Sequence, residues 1–177
     1  GFPVFVTPAT LGSCVGISKA RRADALRPAV DVALEYDRKA VIEAAVPNAR
    51  EIECAVLGND DPEASLPGEV VSSREFYDYE AKYIDEGCQF LIPAPLDPAA
   101  SAEIRRLALE AFRAVDCAGM ARVDFLVARE SGETYLNEVN TIPGFTERSM
   151  YPVMWQETGL PYPALVDALI QLALDRH

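Results

Sequence analysis

The strongest constraint on the fold lies in the last third of the chain, where GMARVDFLVA (119–128) and ETYLNEVN (133–140) flank the short segment R-E-S-G. Alternation of apolar and polar residues marks half-buried strands, and so short a turn joins them as an antiparallel hairpin. The same alternation puts Glu138 and Asn140 on one face of their strand and lets Asp124 lie opposite them. Two carboxylates and an amide oxygen form a hard-oxygen set that suits Mg²⁺, which takes few protein ligands and completes its shell with phosphate and water. From spacing alone, a solvated polar sheet face is the more ordinary reading. Arg122 shares the face of Asp124, where it could steady phosphate charge or simply neutralise Glu138.

Composition narrows the chemistry. Half of the 177 residues are apolar, enough to fill a core, and 28 acidic against 16 basic side chains leave a formal charge of −12. That balance argues against holding nucleic acid or an anionic membrane through a general field. No apolar stretch approaches the ~20 residues that cross a bilayer, and no basic-then-apolar leader opens the sequence, so it reads as soluble and cytoplasmic. His177 is the only histidine, which removes Ser-His and Cys-His catalysis and nearly every zinc site. Cys14, Cys54, Cys88 and Cys117 include no C-x-x-C pair and read as reduced thiols.

Along the chain, residues 3–7 (PVFVT) predict a strand that runs into the small-residue loop PATLGSCVG. Its backbone N–H groups could meet an anion, although it lacks the G-x-x-x-x-G-K-[ST] of a P-loop. The spacing predicts a helix over 22–36 with a small kink at Pro28, and two strands at 41–46 and 51–58 joined by P-N-A-R. With a third strand at 68–73 these read as one antiparallel set. The aperiodic, charged and aromatic stretch 74–90 reads as a long loop that orders over a ligand. A strand follows in QFLIPAP, then a helix over 99–116 that buries Ile104, Leu107, Ala108, Ala111 and Phe112, and two helices after the hairpin near 150–157 and 161–176.

The wording of these segments resembles one family, the D-alanine-D-alanine ligases of the ATP-grasp superfamily. The resemblance is carried by PATLGSCVGISKA (8–20), AVIEAAV (40–46), REIECAVLGND (50–60), FYDYEAKY (76–83), GMARVDFLV (119–127) and LNEVNTIPGFTERSMYP (136–152). It implies an α+β ATP-grasp fold, with 1–44 a remnant of the small central lobe and 45–177 the C-terminal catalytic lobe with an antiparallel sheet and flanking helices. By the same resemblance Asp124, Glu138 and Asn140 correspond to the family's metal site for Mg²⁺ or Mn²⁺. Glu43, Ala44 and Val46 resemble the hinge that grips adenine, Glu51 the ribose carboxylate, and Lys82 the lysine that reaches the γ-phosphate of ATP.

Ser13 and Tyr83 match two members of a trio that aligns the substrates. Arg122 and the N–H of Gly144 resemble the oxyanion site, and Ser149 with the Met150 amide resembles the cradle for the second substrate's carboxylate. The implied activity joins two D-alanines for peptidoglycan in the cytoplasm, with D-alanine and ATP as partners and a homodimer when complete. Tyr83 in EAKY resembles the dialanine-forming branch.

Three departures stand out. Thr7 occupies the place of a phosphate-binding lysine, Cys14 replaces the second serine of G-S-S, and Glu147 puts a charge where a small or neutral residue is usual. The resemblance covers only the C-terminal half of a ligase, so the N-terminal half is expected to be missing and this chain alone to be inactive. Two rival readings follow: a non-catalytic lobe that binds nucleotide or a partner, and a different ATP-grasp carboxylate-amine ligase.

Overall fold

In the computed structural model the described residues are 1–10, 15–72 and 88–176, and they fall into two compact units, residues 1–47 and residues 48–71 with 89–176. The smaller unit is a three-stranded antiparallel sheet, β1 (Val4–Pro8) flanked by β2 (Ser18–Ala20) and β3 (Ala40–Ala44), with α1 (Ala23–Leu34) against it. Its core is small: Val6 and Ala20 from the strands meet Ala29 and Ala33 of α1. Alternation leaves Phe5 and Thr7 on the other face of β1, with Lys19 and Glu43 in register beside Phe5 on either side. The Lys19 ammonium stands 5.3 Å from the centre of the Phe5 ring, within cation–π range.

Gly16 can only be glycine. Its φ is +74°, and a Cβ would lie 2.6 Å from the Tyr36 ring. The Thr10 amide and hydroxyl donate to Asp37 Oδ2 at 2.8 and 2.6 Å, which ties the end of β1 to the turn after α1.

The larger unit is built on β4 (Ala49–Gly58), the centre of a sheet ordered β7-β6-β4-β8-β9, with β5 (Glu63–Ala64) also paired to β4. The outer strands are β6 (Gly68–Ser72), β7 (Cys88–Leu91), β8 (Gly119–Ala128) and β9 (Thr134–Asn140). One face buries Ile52, Cys54, Val56, Val123 and Phe125 against Ile104, Ala108 and Phe112 of α2 (Pro98–Ala114). Each large side chain so enclosed contributes about 1.5–3 kcal/mol. Asp97 caps α2 by accepting the Ala100 amide at 2.9 Å, and Pro98 fills the first helical position, where no N–H is needed. Burial pushes the Cys54 thiol up to about 12, so it stays protonated.

Two helices, α3 (Met150–Thr158) and α4 (Tyr162–Asp175), complete this unit. The Tyr151 hydroxyl donates to the Val56 carbonyl at 2.9 Å and fixes α3 to β4. Asn59 links three elements, donating to Leu172 O at 2.9 Å and accepting from the Gly119 amide at 3.1 Å. Among the described residues no helix is long and apolar enough to cross a membrane.

One expectation needs correction. Strands 41–46 and 51–58 do not form one antiparallel set: among the described residues β3 pairs with β1, and β4 takes β5, β6 and β8. The reason is local. The Ala45 amide donates to Pro3 O and extends the β1 ladder, Pro47 has no N–H to offer, and Asn48 turns the chain at φ 50°. The three-residue β2 was not foreseen either, since SKA is too short to show a period. The segment 73–87 lies outside the described residues.

Candidate functional site

The β8–β9 hairpin sets the geometry. Asp124 stands directly opposite Glu138, and Arg122 opposite Asn140, with a bulge between the Asp124–Glu138 and Phe125–Leu136 pairs. The bulge re-aims the strand locally while the polar row remains on one face. On the other side of β8, Glu53 of β4 is in register with Asp124. A row of three carboxylates, Glu53, Asp124 and Glu138, therefore crosses three neighbouring strands on the face opposite the α2 core.

Arg122 sits within this row. Its Nε and Nη2 donate to the two oxygens of Asp124, each at 2.7 Å. Nε also lies 3.2 Å from Glu53 Oε2, and Nη2 lies 3.8 Å from Glu138 Oε1. The side chains of Arg122, Glu53 and Asp124 are each only 13% exposed, against 53% for Glu138. Burial works against the Arg122 charge, but the Asp124 hydrogen bonds and the fields of Glu53, Asp124 and Glu138 outweigh it and hold the guanidinium protonated beyond its ordinary range.

The donor set suits a hard divalent cation: two carboxylates and the Asn140 amide oxygen, which accepts the Ile142 amide at 3.1 Å. Among the described residues no three His, Cys, Asp or Glu side chains gather as a ready-made metal cage. Such a set binds a metal well only when phosphate or water completes the shell.

The loop after β9 carries the second group. Phe145 packs with Tyr151 and Tyr162, at ring separations of 6.0 and 5.6 Å, and Tyr162 donates to Phe145 O at 3.1 Å. These aromatics hold the loop that presents Gly144 and Ser149. A Cβ on Gly144 would lie 3.1 Å from Ser149 Oγ, so the close approach favours glycine. Ser149 precedes α3, and its hydroxyl accepts the Thr146 amide at 3.0 Å and pairs with the Thr146 hydroxyl at 2.9 Å. Behind it Met150 and Tyr151 open the helix, and Pro152 has no N–H. Glu147, in the turn before Ser149, is exposed.

Glu51 is half-buried on β4, on the same face as Glu53. Glu43, Ala44 and Val46 belong to the smaller unit: Glu43 faces Phe5 in register, Ala44 faces Val4, and Val46 follows the end of β3. Ser13, Lys82 and Tyr83 lie outside the described residues. Sequence reading missed Glu53. Its signal was present, because E-I-E at 51–53 puts two carboxylates on one strand face, but which strand would lie beside it was not readable. The aromatic brace of Phe145, Tyr151 and Tyr162 was missed for the same reason.

A family model described as the D-Ala-D-Ala ligase C-terminus matches residues 1–171. A D-alanine–D-alanine ligase of Thermoanaerobacter sp. (strain X514) is 56% identical over 178 residues, covering 100% of this chain and 49% of the relative. One from Solibacter usitatus (strain Ellin6076) is 54% identical, covering 99% of this chain and 54% of the relative. Among solved structures, the D-alanine-D-alanine ligase from Coxiella burnetii superposes with a TM-score of 0.86 at 41% identity, over 98% of this chain and 45% of that one. The VanG D-Ala:D-Ser ligase from Enterococcus faecalis gives 0.87 at 37%, over 97% and 49%. The chain spans about half the length of the curated relatives it matches. With the ATP-grasp neighbours and the family match in agreement, this chain belongs to the D-alanine-D-alanine ligase family, whose C-terminal part it matches.

Proposed function

We propose that this chain is the catalytic portion of an ATP-dependent ligase that joins two D-alanines into the dipeptide used for peptidoglycan, releasing ADP and phosphate. The observation that carries the reading is the pairing of Arg122 with Asn140 and of Asp124 with Glu138 on one sheet face. A guanidinium beside hard-oxygen ligands serves a reaction in which negative charge moves between phosphate and carbonyl oxygens.

The family resemblance supplies the roles. The carboxylate of the first D-alanine attacks the γ-phosphoryl group and gives an acyl phosphate, and the amino group of the second attacks that carbonyl through a tetrahedral oxyanion. Asp124, Glu138 and Asn140 would hold Mg²⁺ or Mn²⁺, which when bound offsets the charge on the phosphates. Arg122 and the Gly144 amide receive the oxyanion, and Ser149 with the Met150 amide receives the second carboxylate. Glu43, Ala44 and Val46 grip adenine, Glu51 the ribose and Lys82 the γ-phosphate, while Ser13 and Tyr83 align the substrates. Residues 1–44 then represent the small lobe and 45–177 the catalytic lobe, in a cytoplasmic enzyme that is a dimer when complete.

The test is ADP release with D-alanine, measured for this chain and for this chain joined to the portion of a relative that precedes the matched stretch. D-alanine-dependent ADP from the joined form, lost in Asp124→Asn, supports the reading. ATP turnover indifferent to D-alanine points to another carboxylate-amine ligase. Thr7 favours the second reading, a lobe that binds nucleotide weakly without turnover, and no ADP from either form would establish it.

A further inference from the structure

Among the described residues, Glu53, Asp124 and Glu138 line up around the guanidinium of Arg122. The Nε–H and an Nη2–H of Arg122 are already donated to Asp124, at 2.7 Å each. A cation drawn to Asp124 and Glu138 would therefore meet a guanidinium on the same carboxylate, and two positive charges that close in a dry site repel strongly.

We propose that Glu53 is a positioning residue, the seat to which Arg122 transfers when a divalent cation takes Asp124. This rests on the reading of Asp124 and Glu138 as metal ligands. Three observations support it. Glu53 Oε2 is already 3.2 Å from Arg122 Nε, nearer than Glu138 at 3.8 Å, so the transfer is a small rotation of the guanidinium. Glu53 is as enclosed as Arg122, so the new pair forms away from water, whereas Glu138 is half exposed. Glu53 and Asp124 are also cross-strand neighbours, which fixes the distance between the old seat and the new one. Without Glu53 the guanidinium would have to contest Asp124 with the metal or swing toward solvent, and it would no longer stand where an oxyanion needs it. The residue acts through Arg122 and touches neither metal nor substrate.

The experiment is a double-mutant cycle read by Mn²⁺ binding, using paramagnetic resonance with a non-hydrolysable ATP analogue at saturation. Glu53→Gln is expected to weaken Mn²⁺ binding roughly 10-fold, the size of one charge-assisted hydrogen bond, while Arg122 is present. In an Arg122→Met background the same change should cost less than about twofold, because there is no guanidinium to reseat. An equal or larger loss in that background would mean that Glu53 acts as a bare charge on the metal, and no loss with Arg122 present would mean that it does nothing; either overturns the proposal. If Asp124→Asn leaves Mn²⁺ binding unchanged, or the unaltered protein binds none, the metal-site reading fails first and the proposal falls with it.

A second readout does not depend on the stability of Arg122→Met. The Arg122 Nε–H resonance should shift on adding Mg²⁺ with the analogue, and in Glu53→Gln it should hold its metal-free position until about 10-fold more Mg²⁺ is present. Identical titrations of that resonance in the two proteins would sink the idea.

Discussion

The larger sheet holds two arginines in nearly the same embrace, and their surroundings separate a structural pair from a reactive one. Arg50 donates through Nε and Nη2 to the two oxygens of Glu69 at 2.9 and 2.7 Å, as Arg122 does to Asp124. Around Glu69 the cations predominate: Arg129 lies 3.7 Å away, and Arg50 also donates to Pro95 O at 3.1 Å. Around Arg122 the carboxylates predominate. The first cluster has its 4%-exposed carboxylate answered from two sides, while among the described residues the second gathers three carboxylates about one guanidinium. Bidentate geometry alone says little about function, whereas the charge balance around it says a good deal.

Glu69→Gln is the sharpest way to test the closed cluster and should give the largest effect. It leaves the largely enclosed, 17%-exposed Arg50 beside a neutral amide, so stability should fall by about 3–5 kcal/mol, with a midpoint drop of roughly 6–20 °C in calorimetry. A loss below about 1 kcal/mol would place this pair with ordinary surface ion pairs and remove the contrast.

The open cluster is tested by its ligand. In the Asp124→Asn, Glu138→Gln double variant, Mg²⁺ or Mn²⁺ binding in the presence of nucleotide should weaken by about 100-fold or more, since both carboxylate charges of the proposed set are gone. Calorimetry showing unchanged metal affinity would make the second cluster as structural as the first.

What could be read beforehand follows the same division. The hairpin, the α2 face and the facing of Asp124 by Glu138 follow from period and turn length, which are local properties. Glu53 joins the cluster only because β4 lies beside β8 at one particular register, and the split of β3 from β4 depends on which ladder the Ala45 amide extends. These are choices between distant partners, and nothing at residues 41–58 announces them. The D-alanine-D-alanine ligase resemblance supplied the expected roles of Ser149, Gly144 and Glu51, which neither spacing nor charge would have isolated.

The smaller unit extends the comparison to a place where a cation is wanting. Thr7 lies on the face of β1 that carries Phe5, in register with Val41 of β3, and by family resemblance a lysine at this position meets ATP phosphate. Thr7→Lys should strengthen ATP binding by about 10-fold, the lower end of what one charge-assisted hydrogen bond of about 1.5–3 kcal/mol provides. The small alanine-rich core beneath the strand sets the lower figure, because a loosely held strand loses part of the gain to ordering. An unimproved dissociation constant would mean that residue 7 does not serve the phosphates, and the reading of residues 1–44 as a nucleotide-binding lobe would lose its main support.

The smallest effect carries the most pointed test, because the same chemical change should act with opposite sign in the two clusters. Among the described residues, Glu138→Gln removes one of three like charges gathered about Arg122, at a half-exposed position 3.8 Å from that guanidinium. Relief of repulsion should raise stability by roughly 0.2–1 kcal/mol, and solvent screening at 53% exposure keeps the gain at that level. Ligand-binding sites commonly sacrifice stability in this way, so the gain should come with weaker metal binding in the presence of nucleotide. Urea midpoints for Glu138→Gln and Glu69→Gln, measured in the absence of divalent metal, give the comparison directly. A loss of stability in both would mean that the row on β4, β8 and β9 holds the sheet together as the Arg50 cluster does, and that its carboxylates are not reserved for a cation.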